Sequence, residues 1–175
     1  MEESDAGDRV FFAVWPSEAE RHALARWRDT LPRAGGRPTP ERDLHITLAF
    51  AGDVSAVVRE CLEVNATRLR GRPFALRINR AGRFKRGLFW AGPRDLPREL
   101  IELSASLSGI LRDCGVSPDS RPFHPHLTLY RRMNGHPARV APPDLLWGVE
   151  GFCLVRSRPS KGYQVLRCFP LDPRG

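Results

Sequence analysis

The tetrapeptide His45-Ile46-Thr47-Leu48 returns as His126-Leu127-Thr128-Leu129, and each copy sits in a short alternating apolar run. Alternation predicts a half-buried strand, in which residues i and i+2 share a face. Leu44, Ile46 and Leu48 then enter a core while His45 and Thr47 point the other way. His126 and Thr128 repeat the arrangement on the second run. Two imidazoles, each backed by a hydroxyl, supply acid–base groups and hydrogen-bond donors suited to a phosphate diester.

The remaining pattern alternates strands and helices. Arg9 to Trp15 is apolar, β-branched and aromatic, which predicts a strand. Ser17 with Glu20 forms a capping box for a helix carrying Ala19, Ala23, Leu24, Trp27 and Leu31, which Pro32 stops. A second helix is expected over about 54–70, with Val57, Val58, Cys61, Leu62 and Leu69 on its apolar side. Strands at 74–78 and 87–91 flank an expected turn at 82–86. Pro97 opens a third helix bearing Leu100, Leu103, Leu107, Ile110 and Leu111, and Gly115 closes it. Two strands near 149–156 and 163–170 end the chain. The class is α+β, with an internal duplication that predicts two similar lobes of antiparallel sheet. Helices pack outside, and the His strands face a central cleft. Residues 1–8 are expected to form a flexible N-terminus, 9–171 a single bilobal domain and 172–175 a tail.

A length of 175 residues and a hydrophobic fraction of 41% suffice for a core and argue against disorder beyond the ends. No run reaches the roughly 20 apolar residues of a membrane span, and no signal pattern opens the chain, so a cytoplasmic location is expected. The net charge of +8, nearly all from Arg, suits a polyanionic partner such as nucleic acid. Cys61, Cys114, Cys153 and Cys168 are far apart and form no metal-binding spacing. They are expected as reduced, mostly buried thiols. No metal or other cofactor is expected, and nothing in the chain demands more than a monomer.

With both motifs placed, the chain resembles the 2H phosphoesterase superfamily, and within it the bacterial RNA 2′,3′-cyclic phosphodiesterases, historically called 2′-5′ RNA ligases. The likeness rests on Arg9-Val10-Phe11-Phe12-Ala13, on Asp43 to Phe50, on Gly82-Arg83-Phe84, and on Arg121 to Arg131. Ala51 departs from the Leu common after the first motif. The resemblance implies hydrolysis of RNA 2′,3′-cyclic phosphate ends, or of small cyclic nucleotides, to a 2′-phosphate. His126 would be the proton acceptor and His45 the proton donor. Thr47, Thr128 and Arg131 would hold the phosphate. Strict alternation favours Arg132 over Arg131 on the His126 face, whereas the family pattern favours Arg131. Phe84, Trp90 or Tyr130 are candidates to stack on a base, with core packing the better account of Trp90. His124 shares the face of His126, and His22 and His136 read as surface residues. Competing readings are 2′-5′ ligation in the same site, and an RNA-binding module without catalysis.

Overall fold

The computed structural model describes residues 7–32, 35–135 and 141–174. Strand β1 (Asp8–Val14) leads to helix α1 (Glu18–Asp29), the short strand β2 (Arg37–Pro38) and the first motif strand β3 (Ile46–Val54). Helix α2 (Ala56–Arg68) follows, then β4 (Phe74–Ile78), β5 (Arg80–Phe84) and β6 (Leu88–Gly92). Helix α3 (Arg98–Asp113) precedes the second motif strand β7 (Leu127–Arg131). Strands β8 (Leu145–Val149), β9 (Gly151–Arg158) and β10 (Gly162–Pro170) complete the fold. Among the described residues, no helix is long and apolar enough to cross a membrane.

Local chemistry sets the helix starts. The Ser17 hydroxyl accepts from the Glu20 amide, and the Glu20 carboxylate accepts from the Ser17 amide at 2.7 Å. Ser55 caps α2 through the Val58 amide, and Pro97 precedes α3 as expected. The buried helix faces differ in detail from the periodicity. Ala25 rather than Ala23 is buried on α1, and Val57 is 77% exposed while Ala66 faces the core.

One large antiparallel sheet runs β10-β9-β1-β3-β7-β6-β5, with β2 added to β7; β4 and β8 pair separately. The two His strands are therefore neighbours, and the halves of the sheet join through them. That junction is narrow, being the single pair Ile46–Leu127, whereas β1 and β3 pair over seven positions. Alternation separates the sheet's faces. Val10, Phe12 and Val14 join Ile46, Leu48 and the apolar sides of all three helices in the main core. Phe11 and Ala13 turn the opposite way, with Cys153 and Val155, onto a face flanked by Trp15 and Tyr163. Helices thus cover one face and leave the other for chemistry. The buried Ser104 hydroxyl on α3 donates to the Leu48 carbonyl at 2.8 Å, tying a helix to the first motif strand.

Three expectations need correction. Residues 82–84 are not a turn but the end of β5, paired with β6. The reversal lies at 85–87, where Arg86 takes a left-handed φ of 65°. A glycine is needed at 82 because the Trp90 ring lies over it, 2.5 Å from where a Cβ would stand. The cysteines are not thiols: Cys61 bonds Cys114, and Cys153 bonds Cys168. Packing of α2 on α3 unites the first pair, and the β9–β10 register sets the second pair directly opposite one another. Asp8, expected to fray, opens β1 and accepts ion pairs from Arg59 and Arg156 at 2.8 and 2.6 Å. The other end is held as far as Asp172, whose amide donates to the Gly71 carbonyl.

Candidate active site

Each motif histidine immediately precedes its strand, and each is held in the same way. His45 Nδ1 lies 2.7 Å from the Asp43 carbonyl, and His126 Nδ1 lies 2.7 Å from the His124 carbonyl. A carbonyl only accepts, so each Nδ1 carries the hydrogen and each Nε2 presents a lone pair. The antiparallel register through Ile46–Leu127, extended one residue either way, sets His45 across from Thr128 and Thr47 across from His126. All four side chains are half-buried while the intervening Ile46 and Leu127 are fully buried, as alternation requires.

The two imidazoles have different surroundings. The Trp15 ring stacks on His45 at 4.7 Å and 11°, and Tyr163 meets it edgewise at 4.8 Å. Phe11 lies beneath, 5.1 Å away. Trp15 is itself anchored by an Nε1–H bond to the Arg42 carbonyl. Around His126 the contacts are perpendicular: Phe84 at 5.0 Å and Trp90 at 6.4 Å. Burial pushes the His45 pKa down to about 4, opposed by the bond to Asp43 and assisted by the charges of Arg131 and His126. Burial is also the first cause that lowers His126, opposed by its bond to the His124 carbonyl and assisted by the charges of His124 and Arg131. Both rings are therefore neutral in the free protein at neutral pH.

Arg131, not Arg132, is the cation whose charge reaches both histidines. It ends β7, and its guanidinium lies 3.5 Å from the Tyr163 hydroxyl. Strict alternation fails here because β7 carries an extra residue between Thr128 and Tyr130 against β6, and Arg132 then leaves the strand with φ 57°. The buried carboxylate of Asp43 accepts the Tyr163 amide, and burial raises its pKa above the ordinary value. Asp43 thus binds the β9–β10 hairpin to the loop that carries His45.

Two furrows that share Lys85, Arg86 and Leu88 border the site. One, of about 800 Å³, includes Asp43, Arg131 and Tyr163; the other, of about 930 Å³, includes Thr47, Phe84 and His126. Of the stacking candidates, Trp90 and Tyr130 are buried and Phe84 is half-buried. His124 contributes its carbonyl to His126 and packs its ring on Trp90 at 4.8 Å. His22 is on the surface beside Glu41, and His136 lies outside the described residues. Sequence reasoning misses Asp43 and Tyr163 as site residues. Asp43 stands two residues before His45, as His124 does before His126, and that repeated offset is the available signal. Tyr163 carries none, because only strand pairing brings β10 to the motif.

A sheet covered by helices on one face, with two His-x-Thr strands meeting on the other, defines a 2H phosphoesterase. The chain belongs to the 2′-5′ RNA ligase superfamily, whose family model matches residues 15–160. It is 37% identical over 158 residues to the RNA 2′,3′-cyclic phosphodiesterase of Escherichia coli K12, covering 88% of this chain and 89% of that protein. The RNA 2′,3′-cyclic phosphodiesterase of Thermus thermophilus is 34% identical, with 93% and 90% covered. Among solved structures, E. coli LigT complexed with 3′-AMP superposes with a TM-score of 0.87 at 34% identity, over 94% of this chain and 98% of that one. The homologues over most of this chain are thus RNA 2′,3′-cyclic phosphodiesterases.

Proposed function

We propose that the chain hydrolyses RNA 2′,3′-cyclic phosphate ends to 2′-phosphates by paired-histidine acid–base catalysis, without a metal. The observation that carries this reading is the matched presentation of two Nε2 atoms, each fixed by a carbonyl two residues before its histidine. Opening the ring requires a nucleophile arriving opposite the leaving oxygen, so base and acid must stand on opposite sides of phosphorus. His126 Nε2 takes a proton from water as the water oxygen bonds phosphorus. The P–O3′ bond breaks, and protonated His45 delivers its Nε2 proton to O3′. The product carries a 2′-phosphate, and exchange with solvent resets the pair.

Thr47 and Thr128 donate hydrogen bonds to the non-bridging oxygens as charge builds there. Arg131 balances the same charge. His45 receives its proton against burial, and the anionic phosphate offsets that cost. The stacked indole of Trp15 favours the imidazolium as well. The E. coli relative bound to 3′-AMP supports a nucleotide end as the ligand. The antiparallel pair Ile46–Leu127 is a local twofold, and it supports reading the chain as two like lobes. A 5′-hydroxyl in place of water would form a 2′-5′ linkage in the same site, a reading favoured by the superfamily to which the chain belongs.

The test is turnover, in EDTA, of an RNA oligonucleotide ending in 2′,3′-cyclic phosphate, with the products resolved as 2′- or 3′-phosphate. His45→Ala and His126→Ala should each lower kcat by roughly 10²–10⁴-fold. A 3′-phosphate product, or full activity in either variant, defeats the mechanism.

A further inference from the structure

The furrow on the Arg131 side is lined by Arg37, Lys85, Arg86, Arg131, Arg132 and Arg158. Its one carboxylate is Asp43, which is buried and already accepts the Tyr163 amide. Arg37, Lys85, Arg86, Arg132 and Arg158 form no ion pair among the described residues. Elsewhere many arginines are neutralised, as Arg77 is by Asp144 and Arg98 by Glu102. The backbone adds a second observation. Among the described residues, the non-glycine positions with left-handed φ are Arg86, Arg132 and Ser160, at 65°, 57° and 63°, and all three line this furrow. Such conformations cost free energy and gather where a site needs them. The furrow on the His126 side shares Lys85 and Arg86 with this one but otherwise differs: Phe50, Phe84 and Phe123 line it, and its Arg121 is paired with Asp119.

We propose that the Arg131-side furrow is the track for the RNA strand 5′ of the cyclic end, gripping its internucleotide phosphates, and that the protein therefore prefers oligonucleotides to mononucleotides. This rests on the cyclic-phosphodiesterase reading and adds the direction in which the RNA leaves the site. Cations without carboxylate partners in an open furrow are suited to phosphates, which carry their charge whatever the base sequence. The His126-side furrow adds no unpaired cation beyond the shared Lys85 and Arg86.

The experiment compares kcat/KM for 2′,3′-cyclic AMP and for a ten-nucleotide RNA ending in 2′,3′-cyclic phosphate, between 50 and 200 mM salt. The wild type should favour the oligonucleotide tenfold or more at low salt. In the double variant Arg37→Ala/Arg158→Ala that advantage should collapse, with the log–log salt slope shallower by about 0.7 for each phosphate no longer gripped. Its turnover of cyclic AMP should stay within twofold of wild type. Arg112→Ala, on exposed α3 surface, is the control and should change neither. Equal kcat/KM for both substrates in the wild type overturns the proposal, as does an unaltered salt slope in the double variant. If neither substrate is turned over, the catalytic reading fails, and fluorescence anisotropy of the same RNA still decides the furrow. Weaker binding by the double variant upholds the track, and unchanged binding removes it.

Discussion

His45 and His126 share one construction and differ in what touches them. Both pKa values are lowered, so a state with one proton on the pair is confined to acid pH. Below about 4 the pair holds two protons and no free base, and above the His126 value it holds none. The profile of kcat/KM against pH should therefore be a bell with its maximum on the acid side of 6.5. A maximum above neutrality would contradict the burial that sets these values. Stability follows the same sign. A histidine whose pKa is lower folded than unfolded leaves stability whole above about 6.5 and removes it as pH falls toward 4, by at most about 1.4 kcal/mol per pH unit. Urea denaturation of wild type and His45→Asn at about pH 7 and about pH 4.5 should show a smaller acid loss in the variant. Trp15 holds one face of His45, so Trp15→Leu should lower kcat several-fold, displace the acid limb and leave KM nearly unchanged, with Trp15→Phe restoring part of the loss. An effect confined to KM would assign Trp15 to substrate contact instead. The juxtaposed His-x-Thr quartet is legible in the sequence because a strand's period of two is written in neighbouring letters. Trp15, Asp43 and Tyr163 are not, because their approach to His45 depends on pairings between distant strands.

At the scale of elements, the strands and helices whose signals are local match the sequence: the Ser17 box, Pro97 before α3, and both motif strands. Elements defined by a partner do not. The short strand β2 exists through its pairing with β7, and the end of β5 reads as a turn because its Gly82 serves the Trp90 ring rather than a reversal. The cysteine pairs are invisible for the same reason, separated by 53 and 15 residues. In the chain-entropy account a cross-link closing the longer loop stabilises more, about 4 kcal/mol against about 3 for the shorter. Cys61→Ser/Cys114→Ser should thus lower the melting temperature more than Cys153→Ser/Cys168→Ser, as calorimetry would show. The second pair joins the hairpin that carries Tyr163, so its loss should weaken activity beyond its effect on stability. Equal activity in both double variants would detach the hairpin cross-link from the site.

At the scale of the molecule, an α+β class and the placement of chemistry on the strands' polar face are readable from periodicity. The continuous sheet is not, since nothing in either motif states that the two strands are neighbours. The architecture is uneven in its cohesion. Pairing is long where β1 meets β3 and β9 meets β10, and it shrinks to Ile46–Leu127 where β3 meets β7. Native-state hydrogen exchange should report this directly, with slow amides through Phe11 to Ala13 and faster ones beside Ile46 and Leu127. Uniform protection across the sheet would refute it. The sheet is laddered over many rungs at its flanks and over one between its two motif strands, where the β2–β7 pairing and the Ser104–Leu48 bond supply the remaining ties. Pulled by its two halves, such a molecule should yield first along the line that bears its chemistry.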